Sequence, residues 1–338
     1  MKKRKSFVIF LIKCIAIPAA AVLLLFLLNR SYRKIDDEKY MDMWNLGMLG
    51  NQVNNVRLAN VGSSHGAYDF VYDSFTNAGV SCFNFGHTSQ TYEYDLALLA
   101  EYGQHLEEGC VLFIPVSYFS FNNETANETE AQALSVKYYH YLSPKNMPNY
   151  DLFTDIVTSR LPILSAGEDL LKLLPNTSLT AFAAEETAAP ATDETVGEAS
   201  APAMDEAAVA EFANRAAQRF DRHFNNKEEY FLPEREEQLY AIINYCKEHG
   251  ITPVLITTPF SSYYNAPVPE DFLNRFYGII NRIASDTGVN YYDYSHDERF
   301  SENLTLFSDS DHLNPEGAAY FMDILTEEVY ELKAVIRE

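Results

Sequence analysis

Two short blocks of the 338-residue chain hold residue types that together could transfer an acyl group. The first is Val61-Gly-Ser-Ser-His-Gly66; the second is Asp309-Ser-Asp-His312, followed by Leu-Asn-Pro-Glu-Gly-Ala318. A serine hydroxyl is a poor nucleophile at neutral pH. It needs a neutral imidazole to take its proton, and that imidazole needs a partner on its other nitrogen. Asp309 and His312 are three apart, so a single turn can hold the carboxylate against the ring. Ser64 is then the candidate nucleophile, His312 its base and Asp309 the orienting acid. Taken singly, each block has a plainer reading. Gly-Ser-Ser is common where a serine caps a helix, and Asp-x-x-His fits a capping loop with an exposed histidine.

The elements that must position these residues alternate between strand and helix. Apolar runs at 56–61, 79–85, 110–116, 252–258 and 289–292 read as five strands. Segments 68–75, 92–102, 233–249, 272–283 and 315–332 carry helical spacing. Pro233 and Pro315 suit first helical turns, and Gly250 and Gly288 suit helix ends. Strands separated by helices predict a parallel sheet covered on both faces. The expected fold is a three-layer α/β/α sandwich with a flavodoxin-like strand order, 2-1-3-4-5. Ser64 follows the first strand directly, beside the switch in strand order where such sheets bind ligands.

The two halves of this α/β pattern, 50–121 and 231–338, form the expected catalytic domain. Residues 122–180 read as a helical insertion. Residues 181–210 are rich in Ala, Glu, Thr and Pro and predict a disordered acidic linker. The first 34 residues differ from all of this. They contain eight basic residues and no acid, which leaves 17 basic against 48 acidic residues in the remainder. So acidic a body argues against a nucleic-acid partner.

Residues 7–28 are a nearly unbroken apolar run, long enough to span a bilayer. Its small residues, Ala19 to Ala21, precede the Leu-rich stretch, the wrong side for signal cleavage. The expectation is an uncleaved single-pass anchor. Four basic residues precede the run and three follow it, which favours a cytoplasmic N-terminus and an extracytoplasmic body. The three cysteines outside the anchor cannot complete a disulfide framework and read as small buried hydrophobes.

With both blocks and their order in hand, the chain resembles the SGNH, or GDSL-like, hydrolase superfamily. Within it, the resemblance is greatest to the membrane-anchored DltD-like and alginate O-acetylation-like proteins. Gly62-Ser63-Ser64 matches the Gly-Asp-Ser block, with Ser63 in place of the aspartate, and Asp309-Ser310-Asp311-His312 matches the C-terminal block. The likeness covers 56–121 and 231–333. It implies Ser64, His312 and Asp309 in the roles given above, and leaves Asp311 as a capping or solvent-facing residue. It also implies that the backbone N–H groups of Ser64 and Gly86 hold the oxyanion. The superfamily's third block supplies an asparagine that this chain lacks after its third strand. Ser117, or Gln90 from the second loop, could stand in; one such donor contributes ~3 kcal/mol of transition-state stabilisation in a known enzyme. His65 and His87 could contact substrate.

The expected activity is that of an extracytoplasmic esterase or O-acyltransferase working on acyl esters of a cell-envelope glycan. A multi-span membrane acyltransferase is the expected partner. No cofactor is implied, and no metal, because no pair of ligand types has a recognised spacing. A second expectation follows from the missing asparagine: a catalytically weak binding or assembly component of an envelope polysaccharide-modification complex.

Overall fold

The structure, a computed structural model, describes residues 2–41, 54–122, 135–173, 205–225 and 230–336. The chain divides into two compact units. One comprises Met1–Met43, Val136–Tyr141 and Asn149–Glu194. The other comprises Trp44–Ser135, Leu142–Pro148 and Thr195–Glu338.

The second unit is an α/β fold. Its strands are β1 (Val56–Asn60), β2 (Cys82–Asn84), β3 (Leu106–Pro115), β4 (Thr252–Thr257) and β5 (Tyr291–Asp293). They form one parallel sheet in the order β2-β1-β3-β4-β5, as the sequence predicts. Successive side chains of a strand face opposite ways. Leu58, Val111, Phe113, Val254 and Ile256 therefore share one face, where they pack with Phe321, Met322 and Leu325 of the helix Pro315–Glu328. Ala59, Leu112, Ile114 and Leu255 point the other way and are also fully buried. The helices Tyr92–Tyr102, Pro233–Glu248 and Glu270–Thr287 cover the sheet as a second helical layer, the last two against β4 and β5. Burial on both faces explains why β3 and β4 are continuous apolar runs rather than alternating ones.

Boundaries depart from expectation where side chains compete for the backbone. The helix expected over 68–75 is two short ones, Ser64–Tyr68 and Asp73–Asn77. The chain breaks at Asp69, whose buried carboxylate accepts a hydrogen bond from Leu313 N at 3.1 Å. Capping follows the sequence more closely. Asn314 accepts from Gly317 N at 2.9 Å with Pro315 behind it, and Gly288 ends its helix at φ +67°.

The acidic stretch 181–204 lies outside the described residues. The expected linker ran on to 210, but Asp205 caps a helix, Glu206–Phe220, by accepting from Ala208 N at 2.8 Å. Phe212 and Ala216 of that helix are buried. It belongs to the same unit as the sheet, and most of it lies between the expected linker and the second half of the expected catalytic domain.

The first unit is built on the helix Lys2–Met41. Its stretch Ile12–Asp36 is long and apolar enough to cross a membrane, and almost none of it is buried within the protein. Short helical turns between 136 and 173 meet its C-terminal part. Asn29 donates to Arg160 O at 3.1 Å, Arg33 donates to Ser159 O at 2.8 Å, and Tyr32 packs with Ile163 and Ala166.

Candidate active site

Asn60 ends β1, and the chain then turns sharply through Gly62 at φ +113°. A Cβ at Gly62 would lie 2.9 Å from Pro115 Cγ, so both backbone angle and space call for glycine. Gly62 N–H donates to the buried carboxylate of Asp95 at 2.9 Å. Ser63 is the N-cap of the next helix but makes no side-chain cap bond. Ser64 is the first helical residue, and its hydroxyl turns toward the C-terminal block. Neither serine therefore serves as a capping group.

Asp309 organises the C-terminal block. Its Oδ1 accepts from His312 N at 2.9 Å and Asp311 N at 3.1 Å, and its Oδ2 accepts from His312 Nδ1 at 2.8 Å. His312 Nε2 lies 2.7 Å from Ser64 Oγ. An ionised carboxylate only accepts, so Nδ1 carries a proton and, in the neutral ring, Nε2 holds the lone pair facing the serine hydroxyl. The three residues expected to act together are thus joined in one chain of hydrogen bonds, with Ser64 and His312 both buried.

Asp311 is not solvent-facing, contrary to expectation. It is fully buried and pairs with Arg219 of the Glu206–Phe220 helix, whose Nε lies 3.0 and 3.2 Å from its two oxygens. Its Oδ2 also faces His65 Nε2 at 3.5 Å and His223 Nδ1 at 4.0 Å. Arg219 Nη2 reaches the catalytic-type histidine itself, 3.1 Å from His312 Nε2 and 3.4 Å from Nδ1. Arg219 and His223 are not among the sequence candidates, because both lie between the expected linker and the second half of the expected catalytic domain. The 4- and 3-residue spacing of Phe212, Ala216 and Arg219 is the signal that could have found the inward face.

The charges in this pocket set its proton affinities. Burial pulls His312 down, but Asp309 and then Asp311 outweigh it and push its pKa up to about 9. Burial opposes the charge on Asp311, yet Arg219, His312 and His65 hold it well below the usual carboxylate range. Asp309 is also held low, chiefly by His312, against its burial. Burial drives His223 down to about 3 and lowers His65. Both are therefore neutral at pH 7. Asp69 is raised by burial to about 7.

Three of the four groups expected to supply oxyanion donors, all but the Ser64 N–H, are committed elsewhere. Gly86 N–H donates to Asn84 Oδ1 at 2.7 Å. Its glycine is required by packing instead: a Cβ there would sit 2.4 Å from the backbone carbon of Gly66. The Gln90 amide nitrogen donates to Phe85 O at 2.9 Å and Asp95 Oδ1 at 2.6 Å, which uses both its protons. Ser117 Oγ lies 2.5 Å from His65 Nδ1. With Asp311 facing the other ring nitrogen, Nδ1 is the acceptor and the Ser117 hydroxyl proton is taken. His65 itself is fully buried between Ser117, Asp311, Phe119 and Phe260, so it supports the site wall rather than meeting substrate. His87 Nδ1 bonds its own loop at Thr88 O, 2.9 Å away.

His65, Asp311 and His312 bring ligand-type atoms within 4.8 Å of one another. The set does not suit a metal ion. Both nitrogens of His312 are engaged by Asp309 and Ser64, and the Arg219 guanidinium already occupies the cationic position beside Asp311. A second cation there would meet a fixed positive charge.

Comparison with models of known protein families and with curated protein sequences returns no match.

Proposed function

We propose that this protein is a membrane-anchored serine esterase or O-acyltransferase of the SGNH type, acting on acyl esters of a cell-envelope glycan. The observation that carries the reading is the hydrogen-bonded chain Ser64–His312–Asp309, with contacts of 2.7 and 2.8 Å. In this reading Ser64 Oγ attacks an acyl carbonyl while His312 Nε2 takes its proton. His312 then returns that proton to the departing alcohol, leaving an acyl-serine. Asp309 holds the ring in the required tautomer and stabilises the imidazolium. Water as acceptor gives an esterase; a sugar hydroxyl gives a transferase. The apolar N-terminal helix supports tethering to a membrane. The basic residues ahead of it favour a cytoplasmic N-terminus, which puts the site outside, beside envelope polymers. A multi-span acyltransferase would fit as the source of acyl groups.

Labelling of the full chain in detergent by a fluorophosphonate tests the reading. Ser64→Ala is expected to abolish labelling, and His312→Ala to slow it by at least about a thousandfold. A wild type that stays unlabelled, or a Ser64→Ala variant that labels equally well, removes the nucleophile.

One observation favours the second reading, a binding or assembly component. The N–H of Gly86 and the side chains of Ser117 and Gln90 are internally satisfied, so three of the four expected oxyanion donors are not open. The same labelling experiment separates the two readings.

A further inference from the structure

The loops after β2 and β3 leave a tetrahedral intermediate short of donors, yet a guanidinium stands beside the reacting atoms. Arg219 is anchored through Nε by the fully buried Asp311. This leaves its Nη groups pointed past the carboxylate. Nη2 lies 3.1 Å from His312 Nε2, the atom that itself lies 2.7 Å from Ser64 Oγ. Nη1 has no hydrogen-bond partner among the described residues. The hydrogen bond from the arginine to Asp311 is made by Nε, so that bond does not use the Nη groups.

We propose that Arg219 is a catalytic residue that supplies the oxyanion donor missing from the third block, delivered by the helix Glu206–Phe220. This rests on Ser64 being the nucleophile. When Oγ bonds to the acyl carbon, the carbonyl π pair moves to oxygen and the serine proton moves to Nε2. At that moment the protonated Nε2 has no lone pair left for either neighbour, while a new anion forms on the oxygen two bonds from Oγ. The arginine's donor passes from the imidazole to the oxyanion. When the carbonyl re-forms, the alcohol leaves with the proton from Nε2 and the imidazole lone pair is restored. A fixed cation in a dry site is suited to this because it needs no reorganisation as charge develops. Arg219 also offsets Asp311, so that the histidine faces Asp309, Asp311 and Asp69 with one compensating charge, beside the neutral rings of His65, His223 and Tyr68.

The test uses the full chain in detergent, with p-nitrophenyl acetate hydrolysis and fluorophosphonate labelling rate as readouts. Arg219→Lys keeps Asp311 paired but withdraws the fork. The double variant Arg219→Gln/Asp311→Asn removes both charges, leaving no unpaired buried ion and little net change in the field on His312. Both are expected to lose about 10²–10³-fold in kcat, with KM for the ester little changed and the double variant's pH profile close to wild type. If either variant, folded by circular dichroism, runs within about threefold of wild type, Arg219 is only the counter-ion of Asp311 and the proposal fails. An inert, unlabelled wild type overturns the nucleophile reading instead.

Discussion

The two sides of Ser64 are built differently. On the side of the C-terminal block, two side chains are aligned on the serine: Asp309 grips His312 by backbone and ring, and the ring meets Oγ. On the side of the loops after β2 and β3, every polar group turns away. Gly86 N–H goes to Asn84, Gln90 to Asp95, and Ser117 to His65. The first side is poised for proton transfer. The second is a scaffold that fixes the turn at Gly62, and none of these three groups is turned to Ser64. The difference teaches that a loop can carry residues able to donate to an oxyanion while committing their hydrogen bonds to itself.

The sharpest way to break this comparison is to set Asp309 against Asp311. Both carboxylates raise His312, but only Asp309 holds its ring. Asp309→Asn is expected to lower the esterase rate by about 10³–10⁴-fold, by favouring the wrong tautomer. Asp311→Asn leaves Arg219 buried and unpaired, so its main cost is stability, about 3–5 kcal/mol. Its pH profile is the second readout. With His312 at about 9, wild-type kcat/KM rises with pH and levels above that value. Removing Asp311 moves the rise to lower pH. The raised pKa also has a stability consequence. The contribution is fully present below the unfolded-state value near 6.5 and is lost as pH rises through about 9, so denaturant unfolding at pH 6 and pH 10 should differ in that direction. Equal rate losses for the two asparagine variants would mean that Asp309 has no special place.

How far the sequence could be read follows the same divide. The sheet order was legible because buried strands are apolar runs and their connecting helices carry 3.6-residue spacing; β3 and the Glu270–Thr287 helix are clear examples. Ser64, Asp309 and His312 were legible because their chemistry depends on residue type and on a three-residue spacing within a single turn. The oxyanion donors were not. Whether Gly86 N–H is open depends on where the Asn84 side chain turns, and that is decided by Asn84's bonds to Gly66 O and Phe70 O across the fold. Asp311 was misread because its partner, Arg219, lies 92 residues away. That partner sits just beyond an acidic low-complexity stretch whose Ala-rich composition runs on into the helix.

A smaller effect sharpens the view of the second side as scaffold. Ser117→Ala removes a hydroxyl that donates to His65 and leaves that buried ring nitrogen without its donor. The expected loss is about 1–3 kcal/mol of stability, with kcat down by less than about tenfold. A fall of about 10²–10³-fold without destabilisation would instead identify Ser117 as an oxyanion donor, and would return the loop after β3 to the catalytic side.

The smallest effect on labelling is expected at a carboxyl on neither side. Asp69 is fully buried; its Oδ1 accepts from Leu313 N, and the hydroxyl of Thr258 lies close enough to act on its carboxyl. Burial raises it to about 7, so the folded protein binds a proton there that the unfolded chain releases above about pH 4. Stability therefore falls as pH rises between those values, because the native state then binds more protons than the unfolded one. Asp69→Asn keeps an oxygen for Leu313 N–H and removes the ionisation. It should stabilise the protein by on the order of 1–4 kcal/mol at pH 8 and by much less at pH 4, read as a pH-dependent rise in melting temperature. Although His312 acts on Asp69, the same variant is expected to leave labelling of Ser64 intact. If stability at pH 8 falls instead, the ionised carboxylate is structurally required, and the junction between the Ser64–Tyr68 helix and the C-terminal block depends on its charge.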